Sequence, residues 1–229
     1  MPTSTYYLNY DLVHHPIKDT IYMLTGLLEK ITKTNDRLQQ QTNFGPFHAR
    51  AIPSIDIESY LLRIVKYCPC ANECFLSLLV YFDRMARNRT QLRLDSYNIH
   101  RLVICGVMIA SKFFSDVFYT NTRYAKVGGL PVKELNLLEL EFLRMNDFTL
   151  NIQVEELQRY GDQLLMHHRR DQLRQSHLQL TPPQKHLPYV DTSHYTQSSF
   201  VLKKPTSTVA CHRLPTPPPL DSDPFVPTV

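Results

Sequence analysis

Between Leu102 and Phe114 the chain reads Leu-Val-Ile-Cys-Gly-Val-Met-Ile-Ala-Ser-Lys-Phe-Phe, apolar on nearly every side of a helix. No other stretch restricts the fold as much. A helix that is apolar all round cannot lie on a surface and has to be enclosed by other elements. The run is too short to cross a bilayer, which takes about 20 apolar residues. The enclosing elements must therefore come from the chain itself.

They are legible as amphipathic helices. Ile57, Tyr60, Leu61, Ile64 and Val65 form one stripe at helical spacing. Pro69 ends it, because the residue before a proline disfavours helical backbone. A second helix is expected from Ala71-Asn72, with Phe75, Leu78, Leu79, Phe82 and Met85 on one face. Asp95 or Ser96 is expected to cap the central helix. A short helix from Asn121 to Val127 stops at Gly128-Gly129, and Pro131 suits the first turn of the next, which turns Leu135, Leu138, Phe142 and Met145 inward. Gln153 to Leu165 adds one more. Upstream, Ile17, Ile21, Leu24, Leu27, Leu28 and Ile31 make a stripe that needs a surface to dock on.

Alternating β-branched runs, the mark of strands, are absent. The expected fold class is all-α: an N-terminal extension with an amphipathic helix (1–51), a domain with a five-helix core (52–165) and a tail (166–229). The tail holds ten of the 16 prolines, no glycine and no apolar period, so it is expected to be disordered.

Charge and chemistry remove several functions. Residues 52–151 carry 12 basic and 10 acidic side chains, so nucleic-acid binding, which needs a basic footprint, is disfavoured. The cysteine count is odd at five, and no basic segment followed by an apolar stretch opens the chain. The expectation is a reduced, intracellular protein, in the nucleus or cytoplasm, without a membrane partner. No phosphate-cradling glycine loop is present, so no catalytic residue and no cofactor is assigned. Cys68-Pro69-Cys70, with Cys74 nearby, lacks the paired spacing of a zinc site, so no metal is assigned either.

Two charges stand apart because their neighbours are apolar. Lys112 lies between Met108-Ile109 and Phe113-Phe114, and Glu139 lies between Leu138 and Leu140. A charge in such a setting snorkels to solvent, pairs internally or meets a partner.

Tyr81-Phe82-Asp83-Arg84-Met85, Ile109-Ala110-Ser111-Lys112-Phe113-Phe114 and Leu138-Glu139-Leu140-Glu141-Phe142-Leu143 resemble, in order, the second, third and fifth helices of the cyclin box. Thr120-Asn121-Thr122-Arg123-Tyr124-Ala125-Lys126-Val127-Gly128-Gly129-Leu130 and Glu134-Leu135-Asn136 narrow the resemblance to the PHO-type branch, related to plant P- and U-type cyclins. The resemblance covers roughly residues 52–151, and the helix before it is similar to that branch's N-terminal extension.

It implies a single cyclin box acting as a non-catalytic regulatory subunit, one that binds and activates a cyclin-dependent serine/threonine kinase, with phosphate or nutrient signalling as the pathway. By the same resemblance, Lys112 and Glu139 meet the kinase beside its PSTAIRE-type helix. Phe113, Leu143 and Phe148 help build the contact, and Asp83 braces the box internally. A cyclin-fold transcription or nucleic-acid adaptor is the alternative, and a plain helical scaffold in which Lys112 and Glu139 pair with each other is a third.

The chain also departs from cell-cycle cyclins. Asp56-Ile57-Glu58-Ser59-Tyr60 replaces the arginine and tryptophan of their substrate-docking groove, and Arg101 replaces an apolar residue. Arg101 suits an exposed contact to phosphate or carboxylate. In the tail, Leu214-Pro215-Thr216-Pro217 is similar to a phosphodegron read by a ubiquitin-ligase receptor, with Thr216 as the phosphorylation site and Thr181 as the weaker candidate beside Lys185.

Overall fold

The computed structural model describes residues 9–38, 45–88 and 92–180, without side chains for 177–180. Thr181, Thr216 and the expected disorder of the proline-rich segment lie outside the described residues. Those residues form seven helices and no strand: α1 (Ile17–Arg37), α2 (Ile57–Tyr67), α3 (Asn72–Arg87), α4 (Ile99–Phe114), α5 (Asn121–Gly128), α6 (Val132–Met145) and α7 (Val154–Leu180).

α4 is the centre, as its composition demands. Ile99 and every residue from Leu102 to Ser111 are buried, and α2, α3, α5 and α6 pack around it. Its midpoint is Gly106. A Cβ there would run into Leu78 Cδ2 and lie 3.0 Å from Phe142 Cζ, so any larger residue would force these buried side chains to shift.

Two of the helix caps fall on residues not expected to cap. Asp56 caps α2, accepting from the Ser59 amide at 2.7 Å. Thr120 caps α5, and Gly129 ends it in the left-handed region at φ 71°. α4 starts later than an Asp95 or Ser96 cap would give. Asp95 and Asn98 instead trade hydrogen bonds, each side chain accepting from the other's amide at 3.0 Å, and the helix begins at Ile99. Pro131 stands just outside α6 as its flanking residue, not in the first turn.

α1 docks on α2, α3 and α7, burying Ile21, Met23, Leu24 and Leu28. α7 runs past residue 166, where the tail was expected to begin, and continues to Leu180. Its second half carries few apolar residues and is tied to α1 by Lys30, whose Nζ lies 3.0 Å from an Asp171 carboxylate oxygen.

Candidate kinase-binding face

The last turn of α4 brings Lys112 to the edge of the core, and α6 brings Glu139 to meet it. Lys112 Nζ donates to Glu139 Oε1 at 2.6 Å, with the side chains 29% and 20% exposed. The other carboxylate oxygen, Oε2, accepts from Asn121 Nδ2 at 2.8 Å, and that amide also reaches Asn136 Oδ1 at 2.8 Å. Glu139 thus joins the end of α4, the start of α5 and the middle of α6, with both oxygens satisfied. The pair's reach into the core is felt at Cys105, where burial first, then the charge of Glu139, pushes the thiol well up from its ordinary value while Lys112 opposes them.

Apolar side chains flank this pair without being covered. Leu143 lies one turn after Glu139 on the same face of α6 and is half-buried, and Leu140 is exposed. Phe113, beside Lys112, is 46% exposed and sets its ring edge-on to Phe114. Phe148 follows the end of α6 and is 62% exposed.

Phe148 is held there by its backbone. Asp147 and Phe148 both take positive φ, 50° and 55°, where a non-glycine residue costs on the order of 1 kcal/mol or more. The Phe148 amide donates to the Leu143 carbonyl at 2.8 Å. From α3, Arg84 donates to the carbonyls of Thr149 and Asn151 at 3.0 Å each and pairs with Glu156. Tyr81 Oη donates to the Leu150 carbonyl at 3.0 Å, and Asn88 caps the Met145 carbonyl at 3.1 Å. Long-range bonds of this kind over-determine the turn and maintain its strain.

Asp83 lies apart from that face. Its carboxylate accepts from Tyr160 Oη on α7 and from Arg87. Burial first, then this bond, pushes the Tyr160 hydroxyl up to about 12. Asp83 therefore ties α3 to α7. Arg101 does not offer an exposed contact: it pairs with Glu134 of α6 and donates to the His48 carbonyl at 3.1 Å, fastening the 45–48 loop to the box. Among the described residues, no group of three or more His, Cys, Asp or Glu is placed to hold a metal ion, and no helix is long and apolar enough to cross a membrane.

Reading the sequence left out three residues that position the face. Asn121 and Asn136 orient Glu139, and Arg84 fixes the turn that carries Phe148. All three fall within the quoted family-like motifs, which was the available signal.

A family model described as Cyclin matches residues 19–150. The match begins inside α1 and ends at residue 150. The PHO85 cyclin-like protein psl1 of Schizosaccharomyces pombe is 48% identical over 164 residues, covering 65% of this chain and 68% of that protein. PHO85 cyclin-7 of Saccharomyces cerevisiae is 43% identical over 178 residues, covering 67% of this chain and 62% of that protein. Cyclin-U4-1 of Arabidopsis thaliana is 43% identical over 136 residues, covering 58% and 67%. The chain spans roughly two thirds of the length of these relatives.

Proposed function

The chain belongs to the cyclin family, in the branch of PHO85 cyclins and plant U-type cyclins, and from that membership we propose that it binds and activates a cyclin-dependent serine/threonine kinase through the face around Lys112 and Glu139. The observation that carries this assignment is the ion pair itself. Two partly exposed charges are held 2.6 Å apart among uncovered apolar side chains. Such a rim-and-anchor arrangement suits a partner helix better than bulk water.

Activation then follows from rigidity. A kinase needs the ion pair between its ATP-binding lysine and the glutamate of its mobile helix. A pre-formed surface that prefers that helix in its inward position shifts the kinase population toward the active state. Lys112 and Glu139 face the PSTAIRE-type helix in this scheme. Phe113, Leu143 and Phe148 supply apolar contact, and Asp83 acts from within the box. The subunit itself is non-catalytic, works inside the cell in nutrient or phosphate signalling, and offers Thr216, and more weakly Thr181, to a proline-directed kinase and then to a ubiquitin-ligase receptor.

The test is affinity purification of the full chain, identification of the kinases that co-purify, and assay of their activity with and without it. Stoichiometric recovery of a kinase that is active only with the wild-type chain is the expected result. Recovery of no kinase, or a kinase equally active alone, rejects the proposal.

A further inference from the structure

Away from the face described above, α2 and α5 lie side by side and place four cations together: Arg63 and Lys66 on α2, Arg123 and Lys126 on α5. All four are exposed. Backbone contacts show that they adjoin: Arg63 Nη2 donates to the Lys126 carbonyl at 3.4 Å, and Arg123 Nε donates to the Tyr67 carbonyl at 2.8 Å. Among the described residues none of the four is ion-paired, whereas Arg84, Arg101 and Lys112 elsewhere in the box each have a carboxylate partner. The two helices together hold one carboxylate, Glu58, in the first turn of α2.

Arg123 is the ordered member. Its guanidinium carbon lies 4.1 Å from the centroid of the Tyr119 ring, and its Nε is committed to the Tyr67 carbonyl. A guanidinium fixed by stacking and by one hydrogen bond has already lost its freedom, so it binds a planar or tetrahedral anion at reduced entropic cost. Lys66 lies over the Tyr67 ring at 5.4 Å. Four like charges held together repel, and they persist at low cost on a surface where solvent screens them or an anion offsets them.

We propose that this quartet is a docking site for a phosphorylated, acidic segment of a protein substrate. The inference rests on the reading of the chain as a kinase subunit and adds to it where the substrate is held. The chemistry fits: phosphate accepts charge-assisted hydrogen bonds from Arg and Lys, and carboxylates beside it meet the remaining cations. The location fits as well. α5 begins at Asn121, which holds Glu139, and Arg123 and Lys126 follow two and five residues later. A segment bound here lies within one short helix of the proposed kinase contact, which raises its local concentration at the kinase.

The experiment measures binding of the full chain to a fluorescein-labelled peptide carrying two phosphothreonines among aspartates. Controls are the unphosphorylated peptide and a single-stranded DNA of matched charge. The proposal expects the phosphopeptide to bind about tenfold or more tightly than either control, with affinity falling as salt rises. The variant Arg63→Gln, Lys66→Gln, Arg123→Gln, Lys126→Gln should lose about tenfold or more of that affinity while still co-purifying with the kinase. Because Arg123 also anchors its neighbours, Lys66→Gln with Lys126→Gln is run beside it and should show a smaller loss with an unchanged melting temperature. Equal phosphopeptide binding by wild type and both variants overturns the proposal, as does equal binding of the DNA. Loss of kinase recovery in both variants overturns it too, by making the quartet part of the kinase contact. Quartet-dependent phosphopeptide binding by a chain that recovers no kinase leaves the site standing and removes the kinase assignment instead.

Discussion

Lys112 and Glu139, on α4 and α6 and 27 residues apart in sequence, meet with Nζ 2.6 Å from Oε1 while each keeps part of its side chain open to solvent. An internal ion pair and a partner contact are often set against each other as explanations. Here one geometry is compatible with both, since the pair would pre-position the two charges for the partner contact proposed above.

The internal pair and the proposed kinase contact can be tested separately. Lys112→Glu or Glu139→Lys should abolish kinase recovery, a loss of several kcal/mol if the charges are desolvated in the complex. Each alone should lower stability by only about 1 kcal/mol, because the pair is partly exposed. The double reversal Lys112→Glu, Glu139→Lys restores the internal attraction and should regain that stability without regaining the kinase. Thermal melts and co-purification on the three variants decide it. Recovery of kinase by the double reversal would mean the pair acts only within the chain.

The turn after α6 makes a sharper distinction. Asp147→Gly relieves a left-handed backbone and should raise stability by about 1 kcal/mol with kinase recovery intact. Phe148→Ala removes an exposed ring and should weaken kinase binding at least fivefold, about 1 kcal/mol, with little change in melting temperature. Equal kinase affinity of Phe148→Ala and wild type, measured by surface plasmon resonance, would take Phe148 out of the contact.

Gly106 tests the packing at the centre. A methyl group there would clash with Leu78 Cδ2, so the fully buried Leu78 side chain, or the helix that carries it, has to shift. Gly106→Ala should therefore lose about 1–3 kcal/mol despite alanine's better helix propensity. Denaturant unfolding would show it, and a stabilised variant would mean the three helices are less closely packed than described.

In the tail, Thr216→Ala should lengthen the protein's half-life in a cycloheximide chase. An unchanged half-life, together with no phosphate found on Thr216 in cells, would remove the degron and leave the kinase contact untouched.

How legible these features are from sequence depends on the range of the interaction. α4 could be recognised as central because its composition alone excludes the surface, and Gly128-Gly129 marked a stop because one residue there needs positive φ. Lys112 and Glu139 stood out as charges among apolar neighbours. Arg84 did not, since its partners at Thr149, Asn151 and Glu156 are far along the chain and leave no local pattern. Arg101 looked exposed for the same reason: the carboxylate it meets belongs to Glu134, on another helix. The length of α7 was missed because its second half has little apolar periodicity and is fastened to α1 by the Lys30–Asp171 pair.

If Phe148 contacts the kinase as proposed, its left-handed backbone places that position under two opposed selections. Glycine would suit φ 55° best, so a library screened only for heat resistance should drift toward glycine there and shed the ring. A library screened for kinase recruitment should hold an aromatic residue and accept the strain. Sequencing both pools would show which of the two demands has kept phenylalanine in the turn.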